Sequence, residues 1–155
     1  MEYGKAYADD IARLCELRIA YLKEDFGVLE ETDEKQIRGL LPGYFQEHLN
    51  RDLFVYTAEE DGRIIACAFL LLVVKPMSPS FLNGKTGMLL NVYTEPAYRR
   101  KGIGRTVLQA LIKDAEEMEF CSLELKATED GYPLYRKLGF AKTADRYRNM
   151  KLKLR

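Results

Sequence analysis

The chain reads as a single α/β domain, a mixed central sheet with helices on both faces. Three observations carry this. Apolar runs of strand length alternate with amphipathic segments of helical period along the whole chain. One run, Arg63–Val74, is apolar throughout, as expected of a central strand covered on both faces. The length of 155 residues, 47% of them hydrophobic, suits one domain with a real core, and no repeat or linker divides residues 1–155.

Residues 9–26 read as the first helix. Ile11, Leu14, Cys15, Arg18 and Leu22 share a face, Asp9 or Asp10 can cap the start, and Gly27 ends it. Thr32 or Asp33 opens a second helical stretch through Ile37, Leu40 and Leu41. Pro42-Gly43 is expected to interrupt it, with residues 44–49 resuming as helix or turn. Residues 53–58 and 63–74 are strands joined at Asp61-Gly62, a pair suited to the positive φ of a tight hairpin. Residues 75–87 hold two prolines, two serines and two glycines and form a loop, either a rim over a site or a plain connection. Residues 86–93 are the next strand.

The clearest helix spans residues 102–118, where Ile103, Val107, Leu108, Leu111, Ile112 and Ala115 recur on one face. Over residues 122–127, Leu123 and Leu125 alternate with Glu124 and Lys126 as a short strand. Pro133 and Gly139 bracket a short helix over residues 133–138. Met150, Leu152 and Leu154 alternate with Lys151, Lys153 and Arg155, which predicts a half-buried last strand.

Lys+Arg and Asp+Glu are both 24, so the chain is formally neutral and lacks the bulk basicity that nucleic acid or an anionic membrane would attract. Cys15, Cys67 and Cys121 are scattered, without a CxxC or a metal spacing, so no metal is expected and the thiols suit a reducing cytoplasm. The first ten residues lack the basic-then-apolar order of a secretory signal. The longest apolar run, residues 64–74, is too short for a bilayer, which needs about 20 residues. The expectation is a cytoplasmic protein that engages neither nucleic acid nor membrane.

One stretch stands apart from this neutral background: residues 89–105, LLNVYTEPAYRRKGIGR. An apolar strand ends at Tyr93, Pro96 marks a turn, and Arg99, Arg100 and Lys101 precede Gly102 and Gly104 where the long helix begins. Cations at a helix N-terminus oppose its dipole, and an anion that offsets this cost explains them. The glycines let backbone approach a ligand closely. A P-loop would need Lys-Ser/Thr directly after its last glycine, and here Arg105-Thr106 follows Gly104. A dinucleotide fingerprint would need a third small residue where Val107 stands, with glycines following the strand at once.

The pattern Arg99-x-x-Gly102-x-Gly104 after a strand resembles the acyl-CoA pyrophosphate loop of the GCN5-related N-acetyltransferases. Leu134-Tyr135-Arg136-Lys137-Leu138-Gly139-Phe140 resembles that family's LYxKLGF segment, in the family's order and with a strand between. The resemblance implies the family's fold and acetyl-CoA as co-substrate, with an acetyl group moved directly to a primary amine of a small molecule or peptide. It implies that Arg99, Arg100, Lys101, Gly102, Ile103, Gly104 and Arg105 hold the pyrophosphate, and that Val92, Tyr93 and Thr94 pair with the pantetheine amides. It places Tyr135 as general acid to the departing thiolate. A phenol with pKa about 10 is protonated at neutral pH and can donate. Thr128 stands where members often carry Asn, as a cofactor contact or as a helix cap. Asn91 stands where some carry a Glu base, and it cannot take a proton, though it can bond the acceptor or a water. An alkylamine is only about a thousandth free base at neutral pH, roughly 4 kcal/mol to overcome, so the base is unassigned, with Glu95 near in sequence. Dimers are frequent in the family, so a homodimer is compatible. The same residues also suit an acyl-CoA-binding module without turnover.

Overall fold

Asp61 (φ 51°) and Gly62 (φ 74°) both take positive φ, the geometry of a two-residue hairpin, and so set the register of the two central strands. In the computed structural model, which describes residues 1–155, these strands are β2 (Leu53–Glu60) and β3 (Arg63–Val74). They lie in one five-stranded sheet of order β1-β2-β3-β4-β5, with β1 (Glu2–Lys5), β4 (Lys85–Thr94) and β5 (Ser122–Glu124). All neighbours pair antiparallel except β4 with β5, which are parallel. The helices are α1 (Ile11–Phe26), α2 (Glu31–His48), α3 (Ile103–Glu117) and α4 (Tyr132–Lys137).

The sheet is covered on both faces, as its composition predicts. Val107, Leu108 and Leu111 of α3 pack on Ile65, Ala68, Leu70 and Leu89. On the other face Leu14, Leu17 and Phe45, from α1 and α2, meet Val55, Ile64, Cys67 and Phe69. β3 feeds both cores, which is why its sequence is apolar instead of alternating. No helix is long and apolar enough to cross a membrane.

Four features differ from the sequence reading, and one open alternative is resolved. Pro42-Gly43 does not interrupt α2, which runs unbroken past Pro42. Phe45, fully buried one turn on, anchors the helix across the lost backbone bond. The N-terminal residues form β1, whose partner β2 no local pattern could supply. The strand expected over residues 122–127 stops at Glu124. Of the two readings of the loop within residues 75–87, the plain connection fits. Lys75 N–H donates to Gly84 O at 2.8 Å, and Asn83 ties it to Glu119 O beyond the C-terminal end of α3, far from that helix's start. Finally, the strand expected at Met150, Leu152 and Leu154 has no partner, and those side chains are 93, 83 and 84% exposed.

Candidate active site

The site is made where β4 parts from β5. Pairing runs only through Thr86↔Ser122, Gly87↔Leu123 and Met88↔Glu124. A Cβ on Gly87 would fall 2.7 Å from both Leu123 and Leu70, so the strands are as close there as glycine permits. On its other side β4 remains paired with β3 as far as Thr94↔Ala66. A bulge bends it between: the register skips between Cys67 and Phe69, and Asn91 sits at φ 50°. Over residues 89–94, Val92, Tyr93 and Thr94 included, the edge facing away from β3 is unpaired and open to an extended ligand.

The chain then turns through a 3-10 segment, Pro96–Tyr98, and starts α3 at Gly102, whose φ of 78° only glycine adopts without strain. None of the backbone N–H groups of residues 100–105 donates a hydrogen bond within the chain, and the first helical bond is Thr106 N–H to Gly102 O at 3.1 Å. A helix always leaves its first N–H groups free, and here the free run extends outward through Arg100. Ile103 is buried at 5% exposure, so it anchors the helix and offers only its N–H. A Cβ on Gly104 would meet only Thr94 Oγ1, at 3.6 Å, so nothing within the chain requires glycine there. Neither Arg100 nor Lys101 is paired with a carboxylate, and both are exposed. Lys101 lies 5.5 Å from the Tyr98 ring. Together these groups form a cationic cradle of N–H donors beside the open edge, of the kind that suits an anion.

The short helix α4 carries Tyr135. Burial, with a smaller contribution from the Tyr21 phenol of α1, pushes its pKa up to about 12. Its ring packs edge-on to Phe140 at 5.9 Å, while its hydroxyl is not sealed from solvent and has no hydrogen-bond partner in the chain. It is an open proton donor. Asn91 is 2% exposed and faces α1, where its Oδ1 accepts from Arg18 Nη1 at 3.2 Å and its Nδ2 lies 3.6 Å from Cys67 Sγ. Arg18 has no carboxylate partner; its guanidinium lies 5.8 Å from the Tyr21 ring. Glu95 is held by Arg13 and by Arg63, the latter with Nη1 and Nη2 at 2.9 and 2.7 Å from its two oxygens. Burial raises its pKa, but hydrogen bonds and charge from Arg63 and Arg13 outweigh that and hold it below the ordinary range. A carboxylate so engaged is a poor base.

A model of the acetyltransferase (GNAT) family matches residues 12–140. This chain belongs to the GNAT acetyltransferase family. A solved structure from Clostridium acetobutylicum, described as a predicted acetyltransferase with acetyl-CoA, is 33% identical to it. The TM-score is 0.84, over 97% of this chain and 95% of that one. Among curated proteins, an uncharacterized N-acetyltransferase, ycf52, of Porphyra purpurea is 34% identical over 44% of this GNAT chain. The glucosamine 6-phosphate N-acetyltransferase of Trypanosoma brucei brucei is 28% identical over 56% of it. The matches span 39% and 56% of those two relatives' lengths.

Not every residue singled out in the sequence of this GNAT protein faces the cradle. Arg99 Nε donates to Thr94 O at 2.7 Å, its Nη2 pairs with Glu24 at 2.6 Å, and its guanidinium covers the Tyr93 ring at 5.4 Å. It clamps the end of β4 to α1. The Thr128 hydroxyl accepts from Gly131 N–H at 3.1 Å, so this threonine shapes the turn into α4. Arg105 is exposed on the first turn of α3. Two groups escaped the sequence reading: the Glu95–Arg13–Arg63 cluster and the Arg18–Asn91 pair. Both join residues 73 or more positions apart in at least one contact, so no local spacing announced them. The one available signal was Arg18 itself, a cation on an otherwise apolar helix face.

Proposed function

We propose that this protein transfers the acetyl group of acetyl-CoA to a primary amine. The observation that carries the reading is the run of N–H groups over residues 100–105, without internal acceptors, beside the opened edge of β4. In this reading those groups, with Arg100 and Lys101, hold the pyrophosphate, and Gly104 leaves the space it needs. Val92, Tyr93 and Thr94 align the pantetheine arm, whose amides can pair as an added strand would. Acetyl-CoA supplies the acetyl group as a thioester. Tyr135 donates its phenolic proton to the departing sulfur, and burial keeps that proton in place to well above neutral pH. Asn91, buried, takes no proton and acts on the acceptor only through Arg18, from whose Nη1 it accepts. With Glu95 locked by two arginines, the amine reacts as free base or loses its proton to water.

Beside Asn91 stands a cation without a counter-charge, Arg18. This suits an amine that carries an anionic group such as a carboxylate or phosphate. The substrate in the name of the trypanosomal relative, glucosamine 6-phosphate, is an amine of that kind.

The test is release of free thiol from acetyl-CoA with amines in matched pairs, with and without an anionic group. Turnover that favours the anionic member, and loses that preference in Arg18→Met, is the expected result. Absence of turnover with every amine, together with tight acetyl-CoA binding, would favour a second reading. In that reading the protein binds acyl-CoA without catalysis, which the lack of a free carboxylate near Asn91 supports.

A further inference from the structure

On α1, Arg18 is fixed in place without being neutralised. Its Nη1 donates to Asn91 Oδ1 at 3.2 Å, and its guanidinium lies 5.8 Å from the Tyr21 ring. No carboxylate pairs with it. Asn91 is 2% exposed, and its Nδ2 lies 3.6 Å from Cys67 Sγ. A guanidinium has no lone pair, so only the amide oxygen of Asn91 can face it. The β4 bulge, with Asn91 at φ 50°, aims this buried amide at α1. A carboxylate at position 91 would cancel the guanidinium charge. The amide holds the head in place and leaves the charge whole.

Nε and Nη2 of Arg18 donate no hydrogen bond within the chain. These two nitrogens form the side-on fork that fits both oxygens of one carboxylate. The place suits an acceptor. Asn91 directly precedes the open edge at Val92, Tyr93 and Thr94. The Tyr21 phenol, under the guanidinium, is near enough to act on the Tyr135 phenol. Charge then separates carboxylate from phosphate. The Tyr21 phenol feels Arg18 and the acid Asp25, and the Tyr44 phenol feels Arg18 and the acid Asp52. Arg38, which acts on the Cys15 thiol one turn earlier, is paired with Glu34 at 2.8 Å. One carboxylate matches this single free cation. A phosphate monoester carries about −1.5 to −2 at neutral pH, and its excess would meet acids instead of a second cation.

We propose that the acceptor is an amine of the amino-acid type, whose single carboxylate takes the side-on pair of Arg18 Nε and Nη2. This rests on the transferase reading above and narrows its anionic group to one of the two chemistries named there. The amine nitrogen forms the new bond to the acetyl carbon, the C–S bond breaks, one amine proton leaves to water, and Tyr135 protonates the sulfur. The carboxylate takes no part in these steps. Asn91 is a positioning residue: it fixes the guanidinium and, being neutral, keeps it available.

The test reads thiol release from acetyl-CoA with amino acids of several side chains and chain lengths. Each is offered as free carboxylate, as carboxamide and as aminophosphonate, with rates compared per free amine. The carboxylate is expected to exceed the carboxamide in kcat/KM by about tenfold or more, and to exceed the phosphonate as well. Asn91→Asp sets a carboxylate against Arg18. It is expected to raise KM for the carboxylate series about tenfold relative to the carboxamide series, a split that a general loss of structure would not produce. Arg18→Met should give the same split without a buried charge, which covers a failure of the first variant to fold. Arg18→Lys retains the charge without the fork and should keep only part of the preference. Carboxamides used as well as carboxylates would overturn the proposal, as would phosphonates used better, or a preference that survives both Asn91→Asp and Arg18→Met. A phosphonate preference would leave the transfer reading standing. No thiol released with any member, by protein that binds acetyl-CoA, would sink that reading and this one together.

Discussion

Two stretches of the segment from Glu95 to Arg105 are opposites in their hydrogen bonding. Glu95 is fully engaged, holding both Arg13 and Arg63. Around Gly102 the reverse holds: six successive N–H groups, residues 100–105, donate no hydrogen bond within the chain, and neither Arg100 nor Lys101 is paired with a carboxylate. Tyr135 belongs with the second group, since its hydroxyl also lacks a partner. Satisfied charges are scaffolding that holds strand, hairpin and helix together. Unsatisfied ones are left able to bind a ligand. The lesson is that formal charge alone misleads here, because Glu95 and Arg99 look reactive in sequence and serve as clamps.

That contrast can be broken by substitution. Changes in the open group should alter function and spare stability, and changes in the closed group should do the reverse. The largest effect is expected at Tyr135→Phe, which should lower kcat by about 100-fold or more, the usual reach of a general acid. Acetyl-CoA affinity and melting temperature should be nearly unchanged, and an unaltered kcat in the thiol-release assay would remove Tyr135 from the chemistry. Next comes Gly104→Val, which should raise KM for acetyl-CoA by roughly 30-fold by filling the space before the donors, with no comparable loss in thermal melting. Replacing Arg100 and Lys101 together by Ala should weaken acetyl-CoA by about tenfold at low salt and by less at high salt, in a calorimetric titration at two ionic strengths.

The closed group should answer differently. Glu95→Gln leaves Arg13 and Arg63 without a counter-charge and should cost about 1–2 kcal/mol in denaturant unfolding at neutral pH, with kcat retained. A parallel fall in kcat would return Glu95 to the list of proton acceptors. Its pH signature has a definite sign. The folded carboxyl sits below its ordinary value of 4.5, so its stabilisation is present above that value and lost as pH falls through the lower folded one. The Gln variant should lack that acid-side loss. Tyr135 is the converse case. Its folded pKa of about 12 lies above the ordinary 10.0, so its small stabilising contribution is present below pH 10 and disappears on the alkaline side.

Much of this was readable from local chemistry. The hairpin at Asp61-Gly62, the doubly buried β3, the amphipathic α3 and its glycine-marked start all follow from turn preference, hydrophobic period and capping, which act over a few residues. The family resemblance rested on the same short-range features, and the family match agrees with it. Local rules failed where distant packing overruled them. Phe45 carries α2 past a proline, β1 exists because β2 is there to pair with it, and the alternating C-terminal residues stay exposed with no strand partner.

Residue order along the chain therefore accounts for most of the elements, the glycine-marked start of α3 and the short helix that carries Tyr135, because each depends on neighbours within a helical turn or a hairpin. Which charges are free is a different matter. Arg99 became a clamp when α1 brought Glu24 to it, and Glu95 lost its basicity when Arg13 and Arg63 converged on it from elements remote in sequence. Hydrogen-bond satisfaction is a property of the assembled packing, and only the folded chain could assign it.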